Sequence, residues 1–326
     1  MKSFQIREFD LISKIKKEFL FDNSEIIINI GDDSAVLKSS GKNILLTKDV
    51  LVEDVHFKLT FNPAFYLGRK SLAVNLSDLA AMGAKPRFAL LGLCISSKIN
   101  EKWIDEFLAG FKSICEEFNV YLIGGDISSS SKIFISVTLI GEGDKVLERK
   151  GAKPGEMIFV SGFLGQASYG LNLLKKNINL GKNKKYDFFI KSFLDPKPKV
   201  KLGEILNLKG IATSMIDISD GLSVDLFNLC EASNVGAKIY QNKLPVSGEL
   251  LSESLKNEEK YNFILHGGED YELLFTVSSS KVKEINKLNE KITCIGHITE
   301  KDRGIKIVNF EGEEIFLEKK GYEHWV

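Results

Sequence analysis

Of eight aspartates, Asp32, Asp33, Asp49, Asp54, Asp78, Asp126, Asp217 and Asp220, nearly all stand where an apolar run breaks. Most of them sit in short polar phrases: Gly31-Asp32-Asp33-Ser34, Thr47-Lys48-Asp49, Asn75-Leu76-Ser77-Asp78, Gly124-Gly125-Asp126 and Asp217-Ile218-Ser219-Asp220-Gly221. A hard dication such as Mg2+ takes oxygen ligands, commonly a few carboxylates together with substrate phosphates. The set therefore points to phosphate chemistry with several magnesium ions. The two commonest phosphate-holding signatures, G-x-x-x-x-G-K-[ST] and G-x-G-x-x-G between strand and helix, are absent, as is the protein-kinase catalytic loop. What is left is a site of scattered acidic loops in which metal ions clamp the phosphates.

Each phrase also has a plain structural reading. Gly and Asp favour turns, which would account for Gly31-Asp32-Asp33-Ser34. Asp78 could be a buried carboxylate capped by a neighbouring amide, and Gly124-Gly125-Asp126, expected at a strand end, a hairpin turn. Ser219 or Asp220 could cap the helix that follows, although a helix N-terminus also attracts phosphate. Asp49 is harder to dismiss, because it lies in the apolar run Leu45-Leu46-Thr47-Lys48-Asp49-Val50, where an acid is costly without a partner or a metal. A sixth phrase, Gly267-Gly268-Glu269-Asp270-Tyr271-Glu272, repeats the pattern of a glycine pair, acids and then a strand.

The elements that must carry these residues alternate between helix and strand, the mark of an α/β or α+β layer architecture. Apolar spacing predicts a helix over 9–20 and strands over 43–50 and 55–61. A helix follows from Pro63 to near Gly83, then a strand at 88–95, a helix at 101–118, and strands at 120–123 and 133–140. Residues 141–154, rich in glycine and charge, mark the boundary between domains 1–141 and 142–326. The second domain is read with strands at 157–161, 212–216, 237–240, 273–277 and 292–298, and helices at 166–175, 199–208 and 222–232; Lys182-Asn183-Lys184-Lys185 reads as a solvated loop.

At 326 residues, 44% hydrophobic and 27% charged, the chain is long enough for two folded domains. Lys plus Arg equals Asp plus Glu, 44 each, so no net field draws it to nucleic acid or an anionic membrane. The start lacks an uninterrupted apolar run and no stretch nears the ~18 apolar residues that span a bilayer, so a cytoplasmic location is expected. Cys94, Cys115, Cys230 and Cys294 lie far apart in apolar segments and read as reduced core residues.

The phrases GDDSAV, NLSDLAAMGAKP, LIGGD, RKGAKPGE, IDISDGLSVDL and GGEDYELLFT, in this order and spacing, resemble the thiamine-monophosphate kinase family over nearly the whole chain. That family shares a superfamily with aminoimidazole ribonucleotide synthetase and selenophosphate synthetase. The resemblance implies a homodimer formed by pairing of the N-terminal sheets, a C-terminal domain of mixed sheet with helices, and Mg-dependent transfer of the ATP γ-phosphoryl to thiamine phosphate. It implies magnesium ligands at Asp33, Thr47, Asp49, Asp78, Asp126 and Asp217, with Asp220 holding a further ion. ATP contacts are implied at Gly125, Arg149 and Ser219, and thiamine phosphate contacts at His56, Glu269 and Trp325. Lys48 stands where the family has a small hydroxyl residue; either its backbone carbonyl serves a metal or one side-chain ligand is missing. No residue is expected to act as general base. Two other readings are a different ATP-dependent enzyme of the superfamily and a nucleotide-binding paralogue without turnover.

Overall fold

The computed structural model describes residues 14–15, 17–19, 23–28, 36–37 and 41–322. The chain forms two compact units, one of residues up to Leu79 with Lys85–Asp144, the other of Ala80–Ala84 with Lys145–Val326. Of the helix expected over 9–20, only 14–15 and 17–19 are described, and all of these but Phe19 are helical. A small antiparallel pair, β1 (Ile26–Ile28) and β2 (Val36–Leu37), follows.

The first unit is built on a four-stranded sheet in the order β3 (Asn43–Val52), β6 (Phe134–Gly143), β4 (Lys85–Ser96) and β5 (Tyr121–Ser130). Only β4 and β5 are parallel, and they are joined through helix α2 (Glu101–Phe118), the kind of crossover a parallel pair requires. Helix α1 (Ala64–Ala81) follows Pro63. In α2, Ile104, Phe107, Leu108, Phe111, Ile114 and Cys115 recur at helical spacing and form its buried face. The side chain of Asn100 caps that helix by accepting from the Trp103 amide at 2.9 Å. Arg69 of α1 donates to Ser113 and Glu117 of α2 at 2.9 and 2.7 Å, tying the two helices together.

Two expectations fail here. Residues 55–61 form a turn, because Asp54 takes a left-handed φ of 69° and the amides of Val55 and His56 fold back onto the Val52 carbonyl. Gly124-Gly125-Asp126 does not end a strand, since β5 runs ten residues through it. A Cβ on Gly125 would overlap the Leu91 carbonyl oxygen, so the glycine lets β4 and β5 close up just after an irregularity in their register.

The second unit carries a seven-stranded sheet ordered β13 (Glu314–Phe316), β12 (Ile305–Val308), β9 (Gly236–Tyr240), β11 (Ile292–Thr299), β7 (Met157–Ser161), β10 (Glu272–Val277) and β8 (Ala212–Ile218). All of its pairings are antiparallel except β12 with β9. Its longer helices are α3 (Gln166–Lys175), α4 (Lys184–Leu194), α5 (Val200–Leu208), α6 (Leu222–Ser233) and α7 (Asn257–His266). Lys184 and Lys185, expected in a loop, open α4 because Asn183 caps it, accepting from the Lys185 amide at 3.1 Å. The helix α7 and strands β12 and β13 were not anticipated. Cys115 and Cys230 are buried core residues, while Cys94 and Cys294 are half-buried; all four are free. Among the described residues no helix is long and apolar enough to cross a membrane.

Candidate active site

In the first unit, alternation along β3 places Thr47 and Asp49 on one face with Leu45 and Leu51, and Lys48 on the opposite, exposed face with Ile44, Leu46 and Val50. The Thr47 hydroxyl donates to the Asp78 carboxylate, so a strand and the helix α1 deliver two of the expected magnesium ligands to one point. Asp126 is exposed on β5, in register with Gly92 of β4. His56 sits in the turn that closes β3. Its Nδ1 accepts from the Val52 amide at 3.0 Å, which leaves the proton of the neutral ring on Nε2. Asp33 lies outside the described residues, as does Trp325.

In the second unit the acidic phrases of β8 and β10 are neighbours, because the strands pair antiparallel with Ile218 opposite Glu272 and Asp217 opposite Leu273. The pairing continues past the strand ends: the amides of Tyr271 and Glu269 donate to the carbonyls of Ile218 and Ser219 at 2.9 and 2.8 Å. Glu269 and Tyr271 take left-handed φ values of 75° and 49° to make this turn. Asp217 is buried, while Ser219, Asp220 and Glu269 are half-exposed. Arg149 is positioned differently. Its carbonyl accepts from Ser233, the last residue of α6, at 2.9 Å, whereas Ser219 and Asp220 precede the first.

Several residues that shape this region were not singled out from the sequence. Asp225, in the first turn of α6, accepts from the amides of Ser219 and Asp220 at 3.1 and 3.2 Å. Burial, with Asp217 and Asp220 close by, pushes its carboxyl up to about 8 against the pull of those amides. Asp270 accepts from the amides of Gly165 and Ala167 at 2.7 and 3.2 Å at the head of α3, and burial pushes its carboxyl up to about 8 as well. Glu272 is held between the Ser161 hydroxyl and the Lys199 ammonium, the latter at 3.1 Å, yet burial keeps its carboxyl above the ordinary range. Ser223 and His266 lie 2.9 Å apart and both meet the Lys320 carbonyl, while the Tyr322 amide donates to the Asp220 carbonyl at 3.1 Å. An acid in the first turn of a helix was the signal available for Asp225.

Among the described residues no three His, Cys, Asp or Glu side chains converge closely enough to hold a metal ion by themselves. The expected donors are nonetheless oxygens, the ligand type that magnesium takes.

The model of AIR synthase related protein, N-terminal domain, matches residues 31–142, and that of the C-terminal domain matches residues 153–309. A thiamine-monophosphate kinase of Buchnera aphidicola subsp. Schizaphis graminum is 39% identical over 99% of this chain and 100% of its own length. The crystal structure of thiamine-monophosphate kinase from Stenotrophomonas maltophilia K279a superposes with a TM-score of 0.84 at 34% identity, covering 96% of this chain and 98% of that one. A structure of AaThiL complexed with AMPPCP and TMP gives 0.79 at 34% identity, covering 99% and 100%. With its two domains of this type and full-length identity to such enzymes, the chain belongs to the thiamine-monophosphate kinase family.

Proposed function

We propose that this chain transfers the γ-phosphoryl group of ATP to thiamine phosphate, giving thiamine diphosphate and ADP. The observation that carries the reading is identity of 34–39% to thiamine-monophosphate kinases along essentially the whole chain. The AaThiL complex supports it, since AMPPCP stands in for ATP and TMP is the acceptor.

In this reading Asp33, Thr47, Asp49, Asp78, Asp126 and Asp217 ligate magnesium, and Asp220 holds a further ion. Lys48 serves through its backbone carbonyl, because its ammonium lies on the face away from Thr47 and Asp49. Gly125, Arg149 and Ser219 contact ATP. His56, Glu269 and Trp325 contact thiamine phosphate, with His56 donating from Nε2. The acceptor is a phosphate monoester whose second pKa is about 6, so it is largely dianionic at neutral pH and needs no strong base. Magnesium, when bound, neutralises the crowded phosphate oxygens and the charge of the transition state. The chain's own part is to align the two phosphates for direct in-line transfer, with the Arg149 guanidinium adding a bidentate cation.

A homodimer belongs to the same reading. The open face of the first sheet exposes Ile44, Leu46, Val50 and Phe134 side by side on β3 and β6, an apolar edge that a second copy would cover. A cytoplasmic location goes with it, since both substrates are charged phosphates.

The test is ADP release with ATP and magnesium, comparing thiamine phosphate, thiamine and formylglycinamidine ribonucleotide. Turnover is expected with thiamine phosphate alone and lost in excess EDTA. ADP formed with the ribonucleotide instead, or activity undiminished by EDTA, overturns the assignment.

A further inference from the structure

Asp225 is 2% exposed, and a single oxygen, Oδ2, accepts from two consecutive amides, those of Ser219 and Asp220. On the other side of the same loop the Ser219 carbonyl accepts from Glu269, and the Ile218 carbonyl from Tyr271. The loop is thus gripped by its amides from α6 and by its carbonyls from the segment entering β10. The two amides lie in the loop just before a helix of 12 residues, on the side of its N-terminus, where the dipole favours negative charge. Here the amides of Ser219 and Asp220 already hold an acceptor belonging to the chain itself, Asp225 Oδ2.

We infer that Asp225 is a positioning residue that acts as an internal hydrogen-bond acceptor: it fixes the 219–220 backbone and keeps those amides from binding phosphate directly. The loop then presents the Ser219 hydroxyl and the Asp220 carboxylate, and it accepts phosphate only together with a cation. This rests on the roles proposed for Ser219 and Asp220. It accounts for two consecutive loop amides that stay satisfied beside Asp217 and Asp220, whose charges would repel a bare phosphate. It also separates Asp225 from the magnesium ligands, because its work is done on backbone N–H groups.

The full-length Asp225→Asn and Asp225→Ala variants decide it. Asparagine keeps an oxygen acceptor without the charge, so kcat and the magnesium concentration for half-maximal rate should stay within about 3-fold of the parent. Alanine orphans both amides, and kcat should fall about 10- to 100-fold. Alanine should also create a site for inorganic sulfate, seen as a rise in melting temperature with sulfate that neither the parent nor Asp225→Asn shows. Amide exchange at residues 219 and 220 should be slow in the parent and in Asp225→Asn, and fast in Asp225→Ala. Loss of more than about 30-fold in kcat for a folded Asp225→Asn would show that the charge acts directly and overturn the inference. Equal exchange rates in all three proteins would do the same. Should alanine fail to fold, the Asp225→Asn kinetics and exchange still decide. Should the parent release no ADP with thiamine phosphate, the proposed reaction fails, while sulfate binding and exchange still report on Asp225.

Discussion

Asp78 and Asp217 show how differently two of the proposed magnesium ligands are held. Asp78 takes a hydrogen bond from the Thr47 hydroxyl across a strand and a helix, and Asp217 is buried in the edge strand β8. Asparagine at either position keeps the shape but is a weaker metal ligand, so Asp78→Asn and Asp217→Asn should each lower kcat by at least about 30-fold, roughly 2 kcal/mol of lost charge stabilisation. Wild-type kcat with unchanged circular dichroism would remove either residue from the site. Asp270 makes a separate claim about stability. Its carboxyl lies near 8 in the folded chain against 3.8 for an ordinary aspartate, so the native state binds the proton more tightly than the unfolded one. The stability it contributes is present below pH 3.8 and is lost as pH rises towards 8. In EDTA the melting temperature should therefore fall between pH 5 and pH 8, and Asp270→Asn should flatten that fall; an identical slope in the variant would exclude Asp270 as its source.

At the scale of elements, the stretch 319–322 is docked by side chains from two helices. Ser223 at the head of α6 and His266 at the end of α7 converge on the Lys320 carbonyl, and the Tyr322 amide reaches Asp220. Gly321 is part of the fit, since a Cβ there would overlap the Asp220 carbonyl oxygen. Ser223→Ala should lower the melting temperature by roughly 2–4 °C, the equivalent of about 1 kcal/mol, and speed amide exchange at Tyr322. Unchanged exchange there would mean that the clasp contributes nothing. Helices with strong apolar periodicity, α2 and α3, were legible from 101–118 and 166–175 because a single buried stripe sets both their type and their length. The turn at 55–61 was not, because its apolar residues look like strand while hydrogen bonds from Val55 and His56 to Val52 decide the backbone.

For the whole molecule, β3 lies at one edge of the first sheet and exposes Ile44 at 61%, Leu46 at 70% and Val50 at 41% on the face that also carries Lys48. Leu46→Asp should convert the proposed homodimer into a monomer in light scattering after size exclusion, with circular dichroism unchanged; an unaltered mass would place any interface elsewhere. The sequence by itself determined which residue types would meet phosphate, since oxygen donors in short polar phrases between apolar runs have few other uses in a charge-neutral chain. It also determined most strands and helices, because period and capping are local properties. Tertiary structure alone decided that Thr47 meets Asp78, that the loops of β8 and β10 zip together, and that Asp225 fills the amides of Ser219 and Asp220. Those contacts join residues through strand register and helix placement, which depend on how distant segments pack, and no local pattern of side chains encodes them.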